Sequence, residues 1–288
     1  MSVLALLIVL TQAAASPASP AAQPAPATPA LQAFAEGNAF YEKKENDKAL
    51  AAYERAIGLD AANADFHLAR GLALARLQRH EEAIASCSKA LELRPDFPAA
   101  LLERGHFYLN LHKIEQALPD LTRASALKAD PYQVAYYLAL SYYVTGEYAK
   151  AADVYPQCLA NVKTMDNTVA CSAWQYLALR RAGRTDEANK VLDRFTLDTK
   201  VEESQAYLNR LLLFKGVKTE QEIAPTMDKD ALTLPTVAYG LGVWHLLNGR
   251  ADRAREYFEK AVSPAAQKTG FGAVASDFEL RRMKTPSQ

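Results

Sequence analysis

A strict 34-residue repeat is the feature of this chain that most restricts its fold. Four series of residues keep this spacing through four copies, and most of their members have small side chains. The series are Ala49, Ala83, Ala117 and Ala151; Ala56, Ala90, Ala124 and Cys158; Gly37, Gly71, Gly105 and Ala139; and Tyr53, Cys87, Leu121 and Tyr155. A period of this length indicates stacked supersecondary units, each of which buries its apolar face against its neighbours.

The spacing within one repeat predicts a pair of antiparallel helices. Ala83, Cys87 and Ala90 lie at i, i+4 and i+7, which is one face of a helix. Gly71 and Ala83 would face each other across a turn near residues 77–80, and such small residues let two helix backbones approach closely. Prolines at 95, 98 and 131 fall between the units, while glycines at 146, 183 and 249 suit left-handed turns between paired helices.

The segment EGNAFYEKKENDKALAAYERAIGLD, residues 36–60, closely resembles the tetratricopeptide repeat, a 34-residue helix-turn-helix unit. This resemblance implies an all-α fold, a right-handed α-solenoid of stacked repeats. The second half, with WQYLALRRAGR, LLLFKG and YGLGVWHLLNG, resembles signal-bearing bacterial proteins of the same repeat type. The resemblance carries no assigned activity.

The repeat becomes less regular after residue 158. Ala188 follows Ala151 by 37 residues, which indicates a short insertion. Thr219 and Glu222 have the spacing of a capping box at a helix start, and residues 241–262 restore the pattern. Residues 271–283 form an amphipathic segment suited to a closing helix. We therefore expect four regular repeats over residues 31–160, and two to three degenerate repeats plus a C-terminal capping helix over residues 161–288.

The N-terminus has the order of a secretory signal. The first 35 residues carry no charged side chain, and an apolar run at 3–10 precedes TQAAAS and an Ala/Pro-rich stretch. We predict a signal peptide at 1–15, a linker at 16–30, and a periplasmic or secreted mature chain. An uncleaved apolar start is the alternative. The apolar run is too short to span a membrane, which takes about 20 residues, so no span is expected after cleavage.

Composition and motifs favour binding to a protein over other functions. Lys plus Arg and Asp plus Glu both number 33, so no broad attraction to nucleic acid is expected. His80-Glu81-Glu82 begins like a zinc motif, but Ile84 stands where the second histidine is needed. No C-x-x-C, G-x-S-x-G or phosphate-binding glycine loop occurs. We therefore expect no enzyme, metal or cofactor, with an enzyme lacking a recognisable motif as a remote alternative.

The three cysteines divide into a core residue and a candidate pair. Cys87 lies on the small-residue face and is expected to be a buried free thiol. Cys158 and Cys171 fall near the end of one helix and near the start of the next. A short connection between antiparallel helices would bring them together, so an oxidising compartment would allow a disulfide. The alternative is two unrelated small core residues.

The family resemblance implies that the first helices of the repeats line a concave groove. The inward positions on the matching register are Phe34, Asn38, Tyr41, Leu68, Leu72, Arg76, Leu102, His106, Leu109, Tyr136, Leu140 and Tyr143. The sets 34, 38, 41 and 102, 106, 109 each follow i, i+4, i+7, which gives an apolar and aromatic face separate from the stacking face. They are either a binding surface or ordinary core between repeats.

One subclass of the family binds C-terminal carboxylates with a clamp of Lys, Asn and Arg, and this chain departs from that pattern. Asn38 matches one clamp position, but the other four hold Phe34, Ala69, Ala99 and Glu103. The predicted partner is therefore an apolar or aromatic peptide or protein, bound with weak salt dependence. The alternative is a structural subunit of an envelope complex, associating through its edges or convex face. Oligomeric state is left open.

Overall fold

The computed structural model describes residues 28–266 and 270–284, and the regular structure within these ranges is helical. The predicted signal peptide and most of the predicted linker lie outside the described residues. The first helix begins at Pro29, so residues 29 and 30 belong to that helix and not to the linker. The reason is local: the Thr28 hydroxyl accepts a hydrogen bond from the amide of Leu31 at 3.3 Å, and proline suits the first helical position.

The first half of the described chain is built from four helical hairpins. Each hairpin packs its two helices against each other, and its second helix packs on the first helix of the next hairpin. Proline or a side-chain cap starts every first helix. The helices are α1 (Pro29–Glu42), α2 (Asn46–Leu59), α3 (Ala64–Arg76), α4 (His80–Leu93), α5 (Pro98–Asn110), α6 (Ile114–Ala126), α7 (Pro131–Thr145) and α8 (Tyr148–Ala160).

The second half continues the stack with less regular elements. The predicted capping box is present, with the Thr219 and Glu222 side chains each bonded to the other's backbone amide. The helices are α9 (Met165–Arg181), α10 (Thr185–Leu192), α11 (Gln205–Phe214), α12 (Glu220–Ile223), a 3₁₀ helix (Ala224–Lys229), α13 (Thr233–Leu247), α14 (Ala251–Ala261) and α15 (Phe271–Lys284). Among the residues that the structure describes, no helix is long and apolar enough to cross a membrane.

The small residues of the repeat allow the paired helices to pack closely, as the spacing predicts. A Cβ atom at Gly71 would lie 3.0 Å from the Cys87 sulfur and 3.2 Å from the Ala83 carbonyl oxygen. At Gly37 it would lie 2.5 Å from the Tyr53 ring. Ala83, Cys87 and Tyr53 are all buried. In each repeat the residue of the Tyr53 series stands 16 positions after the small residue of the Gly37 series that it opposes. This constant separation explains why the two series keep the same period.

The turn inside each regular hairpin uses a left-handed residue at the same repeat position. Lys44, Gln78, His112 and Gly146 have φ of 62°, 61°, 58° and 92°. In all four, the amide of the next residue donates to a carbonyl five residues earlier, at 2.8–3.0 Å. This is a Schellman turn, in which glycine is the least strained residue. The glycines predicted at such turns, Gly146, Gly183 and Gly249, all have positive φ.

This turn geometry predicts opposite effects of glycine at two equivalent positions. Lys44→Gly should raise the free energy of unfolding by about 1 kcal/mol, because glycine relieves left-handed strain. Gly146→Ala should lower it by about 1 kcal/mol, since a Cβ there has room but meets an unfavourable φ. Urea unfolding curves of the two variants measure both effects. Equal changes of the same sign would show that the backbone conformation does not control these positions.

Cys158 and Cys171 lie side by side at the junction of α8 and α9. They are joined as a disulfide, with Cα atoms 6.5 Å apart and both residues buried. That Cα separation is within the range that a disulfide spans. Cys87 is a free, buried thiol, and burial raises its pKa far above the ordinary value for cysteine. The three cysteines are therefore one buried, unreactive thiol, Cys87, and one disulfide-bonded pair, Cys158 and Cys171.

Alkylation of the unfolded, unreduced protein should therefore modify Cys87 alone. Replacing both Cys158 and Cys171 with alanine should lower the free energy of unfolding by about 3 kcal/mol, because the bridge closes a loop of that length in the unfolded chain. Peptide mass mapping and thermal unfolding with and without reductant measure the two effects. Three alkylated cysteines in protein taken from an oxidising compartment would contradict the pairing.

The closing helix α15 packs on α13 and α14 and also reaches back to α5 and α7. Phe271 at its start lies 5.9 Å from the rings of Tyr136 and Tyr137. Further along, Asp277 pairs with His112 at 2.9 Å, and Glu279 pairs with Arg181 at 3.2 Å. The C-terminal helix therefore covers part of the inner face of the regular array.

Candidate functional site

A cleft of about 690 Å³ remains open on the inner face of the array. It lies between the first helices of the regular hairpins and the elements that return from the C-terminal half. The array side contributes Tyr41, Leu72, Arg76, Glu103, His106 and Tyr137, from α1, α3, α5 and α7. The opposite side contributes Tyr207, Thr233, Thr236 and Phe271, from α11, α13 and α15. The lining is mixed aromatic and polar, which is typical of a binding cleft.

Four of the residues predicted from the sequence line this cleft: Tyr41, Leu72, Arg76 and His106. His106 stacks on the ring of Tyr137 with centroids 4.5 Å apart and nearly parallel planes. Arg76 lies over the ring of Tyr41, 3.4 Å from its centroid, and donates a hydrogen bond of 2.7 Å to the Tyr41 carbonyl. These contacts order the cleft wall before any partner binds.

Five of the predicted groove residues are buried instead, contrary to the prediction: Leu102, Leu109, Tyr136, Leu140 and Tyr143. The hydroxyl of Tyr143 is hydrogen-bonded to that of Tyr239 on α13 at 2.7 Å, and its ring packs 5.4 Å from that of Trp174. Tyr136 packs against Phe271 of α15. For Tyr143 and Tyr136 the physical reason is that α13 and α15 supply the surface that a partner would otherwise provide.

The remaining three predicted residues lie outside the cleft lining. Phe34 packs against Phe66 with ring centroids 4.8 Å apart, so it belongs to the core between α1 and α3. Leu68 is half-buried against the same array. The Asn38 side chain accepts a hydrogen bond of 2.9 Å from the Tyr53 hydroxyl, which leaves less of it to contact a ligand.

On α5 and α7 the cleft is also lined by a repeat position that was not among the predicted groove residues. Positions 103 and 137, one repeat apart, line the cleft, while their neighbours 102 and 136 point into the core. The sequence reasoning therefore missed Tyr137 as a site residue, together with Tyr207 and Phe271 from the second half. One signal could have shown that the array is covered: α7, PYQVAYYLALSYYVT, lacks a polar face. A helix that is apolar all round is normally buried all round.

Burial shifts the pKa values of two cleft side chains in the direction that favours the neutral form. It raises the pKa of the Tyr41 phenol, against the opposing effect of Arg76. It also lowers the pKa of His80 below the ordinary value, so the imidazole is neutral at pH 7. The acidic side chains in the lining are Glu103 and Glu203. Within residues 28–266 and 270–284, no cluster of three or more His, Cys, Asp or Glu has the arrangement of a metal site.

Comparison with known proteins assigns the repeat. Residues 34–98 and 102–160 match the family model of the tetratricopeptide repeat. These two segments of the chain are tetratricopeptide repeats. The match covers most of the four regular hairpins, which share the 34-residue period and the Schellman turns.

Curated relatives match this chain over short segments. Hsc70-interacting protein 1 of Drosophila melanogaster is 36% identical over 96 residues, covering 33% of this chain and 26% of the relative. The STIP1 homolog of Dictyostelium discoideum is 30% identical over 96 residues, covering 33% and 17%. The matched segments therefore span about a quarter or less of these relatives.

One relative is an enzyme. The UDP-N-acetylglucosamine–peptide N-acetylglucosaminyltransferase of Giardia intestinalis is 47% identical over 60 residues, 21% of this chain and 4% of that protein. The matched segment is only a small part of that enzyme, so the match assigns no catalytic activity to this chain.

Solved structures share the fold. A MamA structure is 23% identical, covers 57% of this chain and 88% of its own, and superposes with a TM-score of 0.51. A MamA double mutant gives a TM-score of 0.53 at 18% identity, with 59% and 94% covered. At these identities the likeness supports the α-solenoid fold alone.

Proposed function

We propose that this chain is an exported, non-catalytic scaffold of the bacterial cell envelope, which binds a protein or peptide partner in the cleft. Tetratricopeptide repeats generally mediate protein–protein interactions. The observation that carries the proposal is the open cleft of about 690 Å³ on the inner face of the array, lined by aromatic and polar side chains. A partner would bury its side chains against these groups with little rearrangement of a rigid stack.

The binding surface is smaller than the repeat alone would provide. Tyr136 and Tyr143 are covered by the chain's own C-terminal helices α15 and α13. Contact with a partner would therefore fall on Tyr41 and Leu72 of the array and on the opposite wall. The two walls together favour a narrow segment of a partner over a broad docking face.

Two features support export. The apolar run at residues 3–10, followed by small residues, has the order of a signal peptide. The disulfide-bonded pair Cys158 and Cys171 suits an oxidising compartment, because disulfides persist in the periplasm and outside cells. Export places the partner among envelope or extracellular proteins.

Filling the cleft should abolish capture of the partner. Ala75 lines the cleft on α3, and Ala75→Gln adds a neutral side chain there without removing core contacts. Ala51→Gln is the matched control, since Ala51 is exposed on α2 outside the cleft lining. The measurement is in-cell cross-linking and affinity purification of the tagged full-length chain, with helicity checked by circular dichroism.

We expect the parent and Ala51→Gln to capture the same protein and Ala75→Gln to lose it. Equal capture by all three would move the interaction to the edges or the convex face, where the chain would act as a structural subunit. Light scattering would then report whether it forms a stable complex through that face.

A further inference from the structure

The charged side chains that line the cleft differ in the contacts that they make within the protein. The Arg76 guanidinium lies over the ring of Tyr41 and donates a hydrogen bond to the Tyr41 carbonyl oxygen. Among the described residues, the basic side chain within ion-pair distance of the Glu103 carboxylate is His106, whose Nδ1 lies 3.6 Å away. Among the described residues, no lysine or arginine forms an ion pair with it.

Two more deeply buried carboxylates of this protein have cationic partners. Asp120 accepts two hydrogen bonds from Arg104, at 2.7 and 2.8 Å. Glu279 pairs with both Arg181 and Arg282. A shielded carboxylate is stabilised by such pairing. Glu103, whose side chain is 22% exposed, instead presents its charge to the cleft.

Aromatic rings share the cleft with this carboxylate: His106, which contacts Glu103, stacks on the ring of Tyr137 at 4.5 Å, and Tyr41 lines the same cleft. Burial, and after it the charge of Glu103, raises the pKa of Tyr137 far above its ordinary value. Glu103 also raises the pKa of Tyr41, after the larger effects of burial and Arg76. The carboxylate therefore acts on both phenols, which stay neutral at physiological pH. A carboxylate beside neutral aromatic faces is the arrangement that binds an organic cation, by ion pairing and cation–π attraction.

We propose that the cleft recognises a basic side chain, lysine or arginine, within a protein segment. Glu103 is its ion-pair partner, and Tyr137 and Tyr41 form the aromatic walls around it. This inference rests on the proposed function and names the chemistry of the partner. It revises the expectation of a purely apolar ligand, and it adds a salt dependence, because part of the affinity becomes electrostatic.

The test is selection of random 12-residue peptides, displayed on phage, against the full-length chain. Parallel selections use Glu103→Gln, Glu103→Lys and the control Glu115→Gln, in which an exposed carboxylate on α6 is neutralised. We expect the parent and Glu115→Gln to select peptides that share a lysine or arginine. Glu103→Gln should lose that preference, and Glu103→Lys should replace it with acidic residues.

Affinity measurements on one selected peptide complete the test. Replacing its shared basic residue with glutamine should weaken binding to the parent about tenfold, and should change binding to Glu103→Gln little. Fluorescence anisotropy measures both, with circular dichroism as the check on folding.

The possible failures are distinguishable. Selected peptides without a shared basic residue, if Ala75→Gln still blocks them, would overturn cation recognition and keep the cleft as the binding site. If Ala75→Gln weakens no selected peptide, both the cation site and the proposed function are overturned.

Discussion

Gly272→Ala is expected to unfold more readily than the parent, even though alanine is the better helix former. A Cβ atom at Gly272 would lie 2.5 Å from the carbonyl carbon of Pro235 and 2.9 Å from Cα of Thr236. Both are backbone atoms of α13 that cannot rotate away. We expect a loss of about 2–3 kcal/mol in the free energy of unfolding, as for overpacked cores, after offsetting the roughly 1 kcal/mol gain in helix propensity.

Urea unfolding and limited proteolysis of the C-terminal region measure this effect. Gly58→Ala is the matched control, because Gly58 lies in α2 and a Cβ there meets no atom within 4 Å. The control should be neutral or slightly more stable than the parent. An unchanged stability of Gly272→Ala would mean that α15 does not cross α13 this closely. Since Phe271 lines the cleft, displacement of α15 should also weaken binding of any cleft ligand.

Glu279→Ala is expected to cost about 3–5 kcal/mol, because it leaves a shielded arginine without its counter-charge. The Glu279 side chain is 3% exposed and that of Arg181 is 16% exposed. The two are held by contacts of 3.2 and 3.4 Å, and Arg282 donates to the same carboxylate at 2.9 Å. Arg282 also donates to the carbonyl of Val144, so the network ties α15 to α7 and α9.

Thermal and urea unfolding measure the loss, with Glu259→Ala as control. Glu259 is exposed on α14, where a substitution should change stability by no more than about 0.5 kcal/mol. A double variant, Arg181→Met with Glu279→Leu, should recover part of the loss, because it removes both buried charges. Equal effects of Glu279→Ala and Glu259→Ala would show that the network is not formed in solution.

The repeat itself could be predicted from the sequence, because its contacts are local. Gly71 meets Cys87 within one hairpin, and Gly146 takes the left-handed turn that its position requires. The capping box at Thr219 and Glu222 likewise depends on neighbours three residues apart. Each of these features is decided by backbone sterics and by residues within one 34-residue unit, so a constant spacing is enough to reveal it.

The candidate site could be predicted only in part. Tyr41, Leu72, Arg76 and His106, which line the cleft, were implied by the register of the repeat family, with helical periodicity as support. Periodicity gives the direction of a side chain around its helix, but not what covers it. An apolar face on α7 has the same pattern whether it meets a ligand, a neighbouring repeat or the chain's own C-terminus.

The tertiary structure decided which of these occupants is present. Phe271 meets Tyr136 across 135 residues of chain, and Tyr239 meets Tyr143 across 96. The pairing of Glu279 with Arg181 spans 98 residues. Such contacts depend on how the irregular second half bends back, and no repeat spacing encodes that path. The sequence by itself thus determined the α-solenoid and its turns, whereas only the folded chain, by burying its own aromatic groove residues, decided where the cleft lies.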